Sequence, residues 1–309
     1  MTNLHFHGLH VSPDSPQDGV LTMMAMPVQA LDHKVEVSSW AAPGLYWYHT
    51  HRTETAHVRT LIGMSGAIVV QGIDQYYPQV RNMREHVLIL RDLEDSGADI
   101  RAQILRTVQV TSTPCGTATE QKQDRILSLN GAIRPRIPID SRERQFWRIV
   151  NASADLSADL QLSGGQFLNC GPRWHAAHDR ERSTRNVDHV LLPPAGRVEA
   201  IVIGPPSRSR VTLSSRCVDT GPDGDANPAM VTADVGAPGD HSPIRSVANS
   251  TGLLVHAELR KMLMRELEAS EPDFTVIFME DKNGFYINGR KFSMHDDPLA
   301  RASRTREPS

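Results

Sequence analysis

The sequence predicts an all-β chain of tandem sandwiches with one short helix near its C-terminus. Three observations carry that expectation. Short apolar runs recur along most of the chain and are separated by Gly, Pro, Asn and Ser, the pattern of strands joined by turns. Glycine and proline are frequent, at 21 and 20 residues, while aromatics make up only 5%. The first segment alternates with the two-residue period of a strand, Leu4, Phe6 and Gly8 falling on one face and His5 and His7 on the other.

The elements follow in order. Residues 35–37 form a short alternating run, and residues 44–48 a β-rich run after a Pro-Gly turn. Residues 66–70 have the composition of a buried strand. A second pattern starts near residue 84. Its expected strands are 86–90, 126–129 (ending on the turn signal Asn130-Gly131), 146–150, 160–162, 190–192, 198–203 and 211–213. The polar, charged stretch 170–186 reads as a surface loop, and residues 219–251, rich in Gly, Pro, Asp and Ser, as a linker. Residues 253–268 place Val255, Leu259, Leu263 and Leu267 at helical spacing before Pro272. Two further strands are expected at 274–279 and 285–287, with Asn288-Gly289 as a turn. The charged, patternless end from about 294 reads as a disordered tail.

The bulk numbers narrow the function classes. A chain of 309 residues suffices for about two domains. A net charge of −3 gives no electrostatic attraction to nucleic acid or anionic lipid, and no apolar run is long enough to span a bilayer. No secretory signal is readable at the N-terminus, and the localisation is left open. Cys115, Cys170 and Cys217 are odd in number and widely spaced. Buried free thiols are the leading reading and one disulfide the alternative.

Histidine is the unusual residue, at 14 copies. Two H-x-H pairs occur, His5/His7 and His49/His51, against about 0.6 expected by chance at this histidine content, and imidazole is a ligand for copper, zinc, iron or nickel. In an extended strand such a pair projects to one face with about 6.5 Å between its members, so two strands side by side would present four imidazoles to one place.

The flanking residues carry more than the spacing. Residues 2–10 read T-N-L-H-F-H-G-L-H, residues 43–51 P-G-L-Y-W-Y-H-T-H, and residues 63–70 G-M-S-G-A-I-V-V. In this order and separation they resemble the copper motifs of the multicopper oxidases, in particular laccase-like bacterial types. The likeness continues through residues 129–131 (L-N-G), 145–153 (Q-F-W-R-I-V-N-A-S), 191–199 (L-L-P-P-A-G-R-V-E) and 286–292 (Y-I-N-G-R-K-F). The resemblance implies cupredoxin-like Greek-key sandwiches: a first domain at 1–75, incomplete at its start, a second at 80–218, the linker at 219–251, the helix and opening strands of a third domain at 252–293, and the tail at 294–309. It implies copper as cofactor, with His5 on a type 2 copper and His7, His49 and His51 on a type 3 pair. The implied reaction is one-electron oxidation of a reductant, a phenol or metal ion, coupled to reduction of dioxygen to water.

The family's remaining ligands, an H-P-x-H-x-H segment and an H-C-H segment, do not occur in these 309 residues, and none of the three cysteines is flanked by histidine at that spacing. The sequence therefore leads us to expect an incomplete or inactive copy, or a fragment whose third cupredoxin domain comes from a separate chain. Two other classes stay open: a non-catalytic β-sandwich that binds metal or serves as a scaffold, and a mononuclear zinc site on His5, His49 and His51 with Glu54 as the nearest, poorly placed base. Blander readings apply elsewhere. His10 is expected either behind the metal ligands or at the surface, His57, His175, His178 and His189 near solvent, Met23, Met24, Met26, Met262 and Met264 as structural residues, and Asp92, Asp95 and Asp99 as a solvated face.

Overall fold

A computed structural model describes residues 1–39, 41–52, 56–94, 125–164, 166–169, 185–207, 211–220, 227, 229–237, 277–282 and 284–291. The described strands are β1 (His5–His7), β2 (Gly44–His49), β3 (Ser65–Val70), β4 (Arg84–Glu94), β5 (Arg125–Leu129), β6 (Arg136–Pro138), β7 (Arg144–Asn151), β8 (Ala158–Leu162), β9 (Gln166–Asn169), β10 (Arg185–Val187), β11 (His189–Leu192), β12 (Arg197–Ile203), β13 (Val211–Arg216), β14 (Met230–Gly236), β15 (Phe278–Asp281), β16 (Gly284–Ile287) and β17 (Arg290–Lys291). Among the described residues one α-helix, α1 (Ala56–Leu61), joins them. The chain is thus all-β, as its alternating runs predict.

Residues Met1–Gly252 form one compact unit. Within it, β1, β2 and β3 make an antiparallel sheet in that order. A six-stranded sheet, β10-β9-β12-β7-β4-β5, and a five-stranded sheet, β11-β8-β13-β14-β6, make the sandwich. Leu90, Leu127, Trp147, Ile149, Leu160, Phe167, Ala200 and Leu213 belong to its continuous apolar core. Most pairings are antiparallel, but β4/β7 and β14/β6 run parallel. Parallel neighbours need a crossover, so chain order alone does not predict the sheet order.

The first sheet rests on the sandwich. Leu45 and Trp47 of β2 cluster with Val150 and Ala152 at the end of β7. Arg91 of β4 donates from Nε to the Ser65 hydroxyl of β3 at 3.0 Å and from Nη2 to the Ser65 carbonyl. Polar groups inside the sandwich are paired, as burial requires. Arg148, almost fully buried, lies between Glu85 and Glu199 with its guanidinium 4.8 Å from the centroid of the Phe146 ring. Asn151 is fully buried and donates to the carbonyls of Leu156 and Leu192, both at 2.8 Å, while its oxygen accepts the Ser153 N–H. These contacts give the Q-F-W-R-I-V-N-A-S segment a structural meaning.

Several expectations are corrected. The expected linker at 219–251 contains β14, whose Met230, Ala233 and Val235 lie in the core. Polar flanks dominate the composition of that stretch and mask its alternation. Strands β6, β9 and β10 were not expected either. They are short, and β6 and β10 lie at sheet edges where both faces need not be apolar. Residues 35–37 form no strand. Asp92 belongs to no solvated face: it is fully buried and accepts the N–H groups of Ala154 and Asp155 at 2.9 and 3.2 Å. Cys217 is disulfide-bonded, so the alternative to free thiols holds for it. Cys115 and Cys170, Asp95 and Asp99, His175 and His178, the expected helix at 253–268 and the tail lie outside the described residues.

A second unit, Leu253–Ser309, has β15, β16 and β17 as its described part, an antiparallel meander turning at Asn288 and Gly289, both with positive φ. No helix among the described residues is long and apolar enough to cross a membrane.

Replacing Asn151 by Ala removes three buried hydrogen bonds and leaves two carbonyls without their donor. The expected cost is about 2–4 kcal/mol. Urea unfolding should show a lower midpoint with an unchanged slope.

Candidate metal centre

Strand pairing builds the centre. Antiparallel β1 and β2 place His5 opposite His49 and His7 opposite Trp47. Within β1, His5 and His7 share a face. β2 ends at His49, and His51 follows in irregular chain after the buried Thr50. Asn3, itself buried, fixes that segment: its Oδ1 accepts the His51 N–H at 2.9 Å and its Nδ2 donates to the Val20 carbonyl at 2.7 Å. All four predicted histidines meet. The His5 ring centroid lies 5.5 Å from that of His7, 5.3 Å from that of His49 and 5.0 Å from that of His51. His49 lies 5.7 Å from His51. One ring nitrogen from each of His5, His7 and His49 falls within a span of 4.8 Å.

The rings are oriented by their other nitrogens. Asp18 stands 2.8 Å from His5 Nδ1 and also accepts the Phe6 N–H at 3.0 Å, so the carboxylate accepts a hydrogen bond from His5 Nδ1–H. The Thr50 carbonyl, 2.8 Å from His49 Nδ1, can only accept, so that nitrogen also carries a proton. These contacts turn Nε2 of His5 and His49 toward the centre, the arrangement that a metal needs. His7 Nδ1 sits 3.3 Å from His49 Nε2. Trp47 stacks on His49, with centroids 4.3 Å apart and planes at 25°, and lies tilted against His7 at 5.1 Å. It limits how far either ring can turn.

Electrostatics favour the neutral rings. Burial lowers the pKa of both His7 and His49 from 6.5 to about 4. For His7 the neighbouring Arg197 charge adds to burial; for His49 the Thr50 hydrogen bond opposes it in part. The donor set thus suits a transition metal: convergent, uncharged imidazole nitrogens held by fixed acceptors.

The other histidines stand apart in their pairings. His57, on α1 and half-exposed, meets Asp155 at 2.7 Å, and His189 of β11 meets buried Asp159 at 2.6 Å. Met23 is buried and Met26 exposed, in keeping with a structural reading. Glu54 lies outside the described residues. Sequence reasoning missed Asp18, Asn3, Trp47 and Arg197. The first lies in a polar turn with no motif, and Arg197 comes from a distant strand.

Residues 1–75 match the family described as Multicopper oxidase. A curated relative, the iron transport multicopper oxidase FET3 of Gibberella zeae, is 23% identical over 166 residues, covering 53% of this chain and 24% of that protein. Among solved structures, Fet3p, a multicopper oxidase that functions in iron import, gives a TM-score of 0.59 at 15% identity over 95% of this chain and 54% of its own. The multicopper oxidase of Campylobacter jejuni, a metallo-oxidase, gives 0.55 at 19% identity over 96% and 60%. McoA of Aquifex aeolicus gives 0.58 at 15% over 94% and 59%. These structural likenesses show the fold. The chain spans about a quarter of the curated relative's length and little more than half that of the solved structures.

In the metal-free chain, the unfolded state takes up protons near pH 6.5, before folded His7 and His49 do at about 4. Their contribution to stability is whole above pH 6.5 and is lost as pH falls toward 4. Proton NMR of the histidine rings should show two resonances that titrate near pH 4, and thermal unfolding should weaken across that window. Two midpoints near 6.5 instead would contradict the buried, neutral centre.

Proposed function

We propose, from the match of residues 1–75 to the multicopper oxidase family, that His5, His7, His49 and His51 are copper ligands forming one half of a trinuclear centre. His5 serves the type 2 ion and His7, His49 and His51 the type 3 pair. The observation that carries this reading is the convergence of His5, His7 and His49 nitrogens within 4.8 Å, with His51 against the His5 ring. When bound, copper supplies the one-electron chemistry by which the family couples oxidation of a reductant to reduction of dioxygen to water.

The chain's own residues prepare the centre. Asp18 and the Thr50 carbonyl hold the Nδ1 protons of His5 and His49 and so fix which nitrogen faces the metal. Burial keeps His7 and His49 unprotonated. Trp47 restrains two ring planes, and Asn3 holds the backbone of His51 beside His5.

The rest of the ligand set is not among these 309 residues, since Cys115, Cys170 and Cys217 have no flanking histidine at the required spacing. We take the centre to be completed by a histidine-bearing third cupredoxin domain outside these 309 residues, with residues 1–75 as the ligand-bearing part and 80–218 as its support. Alone, the 309 residues bind copper without turning over. The convergence of three donors also favours a second reading, in which a single copper or zinc ion sits on His5, His7 and His49.

Metal analysis and electron spin resonance of the reconstituted chain separate these readings. Copper with a type 2 signal, no intense blue absorption and no oxygen uptake with a phenol is the expected result. Zinc retained through purification at one equivalent supports the single-ion reading, and absence of any metal binding sinks both. Asp18→Ala should weaken copper affinity by about 10–100-fold through loss of the His5 orienting contact. Competition with a chromophoric chelator measures it.

A further inference from the structure

The segment Met23-Met24-Ala25-Met26 alternates in burial as an extended chain does. Met23 and Ala25 are buried, Met24 is half-buried and Met26 is 46% exposed. Packing accounts for Met23. It does not account for an outward face on which both side chains, Met24 and Met26, are thioethers.

Main-chain pairing brings a third sulfur to that face. Thr2 donates its N–H to the Ala25 carbonyl at 2.9 Å, and Ala25 donates back to the Thr2 carbonyl at 2.8 Å. Beside such a doubly bonded antiparallel pair, the next pair has no hydrogen bonds and lies closer, with Cα atoms about 4.5 Å apart and side chains on one face. By that register it is Met1 and Met26, and Met1 is 43% exposed. On the other flank Met24 falls opposite Asn3. Asn3 belongs to the histidine side, since its Oδ1 accepts the His51 N–H and the His51 ring lies 5.0 Å from that of His5. Three sulfurs thus stand on one outward face, with Met24 nearest the histidines.

Thioether sulfur is a soft, uncharged ligand, and it selects Cu(I) over the divalent ions that imidazole takes. Met24 and Met26, two residues apart, are separated by about 6.5 Å along an extended chain. Three rotatable bonds let each methionine bring its sulfur inward from there. We propose that Met1, Met24 and Met26 form a surface site for a single Cu(I) ion, separate from the histidine centre. Its ligands are neutral and solvent-exposed, so the ion keeps its charge and can leave as readily as it enters. That suits transient holding before transfer toward His5. Only the transfer rests on the copper reading of the histidines; the thioether site stands without it.

The test uses the full, metal-free chain with carbon-13 methionine methyl groups and Ag(I), a redox-inert stand-in for Cu(I), as the probe. The methyl resonances of Met1, Met24 and Met26 should move together and saturate, while those of Met23 and Met64 stay. Leucine conserves the volume of methionine and removes only the sulfur. The double variant Met24→Leu, Met26→Leu should therefore fold, and its affinity, read at the Met1 methyl, should fall by roughly tenfold or more. Anaerobic competition for Cu(I) with a chromophoric chelator should show the same loss. If Met1 has been processed from the chain, Met24 and Met26 should still respond, at lower affinity. Methyl resonances that do not move in the wild type, or equal affinity in the double variant, overturn the site. Should the variant fail to fold, the wild-type methyl resonances decide alone. Cu(II) is titrated in parallel. A chain that binds Cu(II) but shows no thioether response refutes only this site, and the converse refutes only the histidine reading.

Discussion

The antiparallel register of β1 against β2 is the constraint on which the centre depends. It sets His5 opposite His49, and the period of the strand then brings His7 to the same face. A slip of one residue would send both histidines of β1 to the other side of the sheet. The register is held from several directions. β3 pairs along the whole of β2, Asp18 binds both the His5 ring and the Phe6 backbone, and Asn3 ties the start of β1 to His51. None of these groups is placed to touch a metal itself, yet the spacing of four imidazoles follows from them.

Much of this could be read from the residues. The H-x-H pairs and their Y-W-Y and G-M-S-G-A flanks pointed to the four histidines, and the structure brings all four together. β7 and β12 were visible because largely buried runs are rich in apolar residues, and β4 through its apolar centre, residues 87–90. The failures have physical causes. β14 pairs on both sides and contributes to the core, but its seven residues are outweighed by polar neighbours in any composition window. Asp92 looked solvated because a carboxylate usually is; its partners are backbone N–H groups, which no side-chain pattern reveals. Asp18 and Arg197 act on the centre through tertiary contacts; Asp18 lies in no motif, and the 191–199 segment that contains Arg197 gives no sign in the sequence that it meets the histidines.

The polar interior shows how the sandwich tolerates charge. Arg148 sits between two glutamates, Asp159 meets both His189 and Arg216, and Arg134 meets Asp234. Each charge taken from water is returned a partner, as the cost of desolvation demands. Against that background the sparse pairing of Arg197 is an exception, and it occurs next to the histidine cluster.

The packing of β2 on the end of β7 bears on how such a protein can be divided. Heredity marks residues 1–75 as a block, since that is the stretch which matches the family. Mechanics draws the line elsewhere. Leu45 and Trp47 are covered by Val150 and Ala152, and Ser65 is gripped by Arg91. A cut between 75 and 80 would strip the underside of the very strand that carries His49, expose an indole and a leucine to water, and leave a three-stranded sheet with no second layer. The smallest portable version of this centre is therefore the histidine sheet together with the sandwich beneath it.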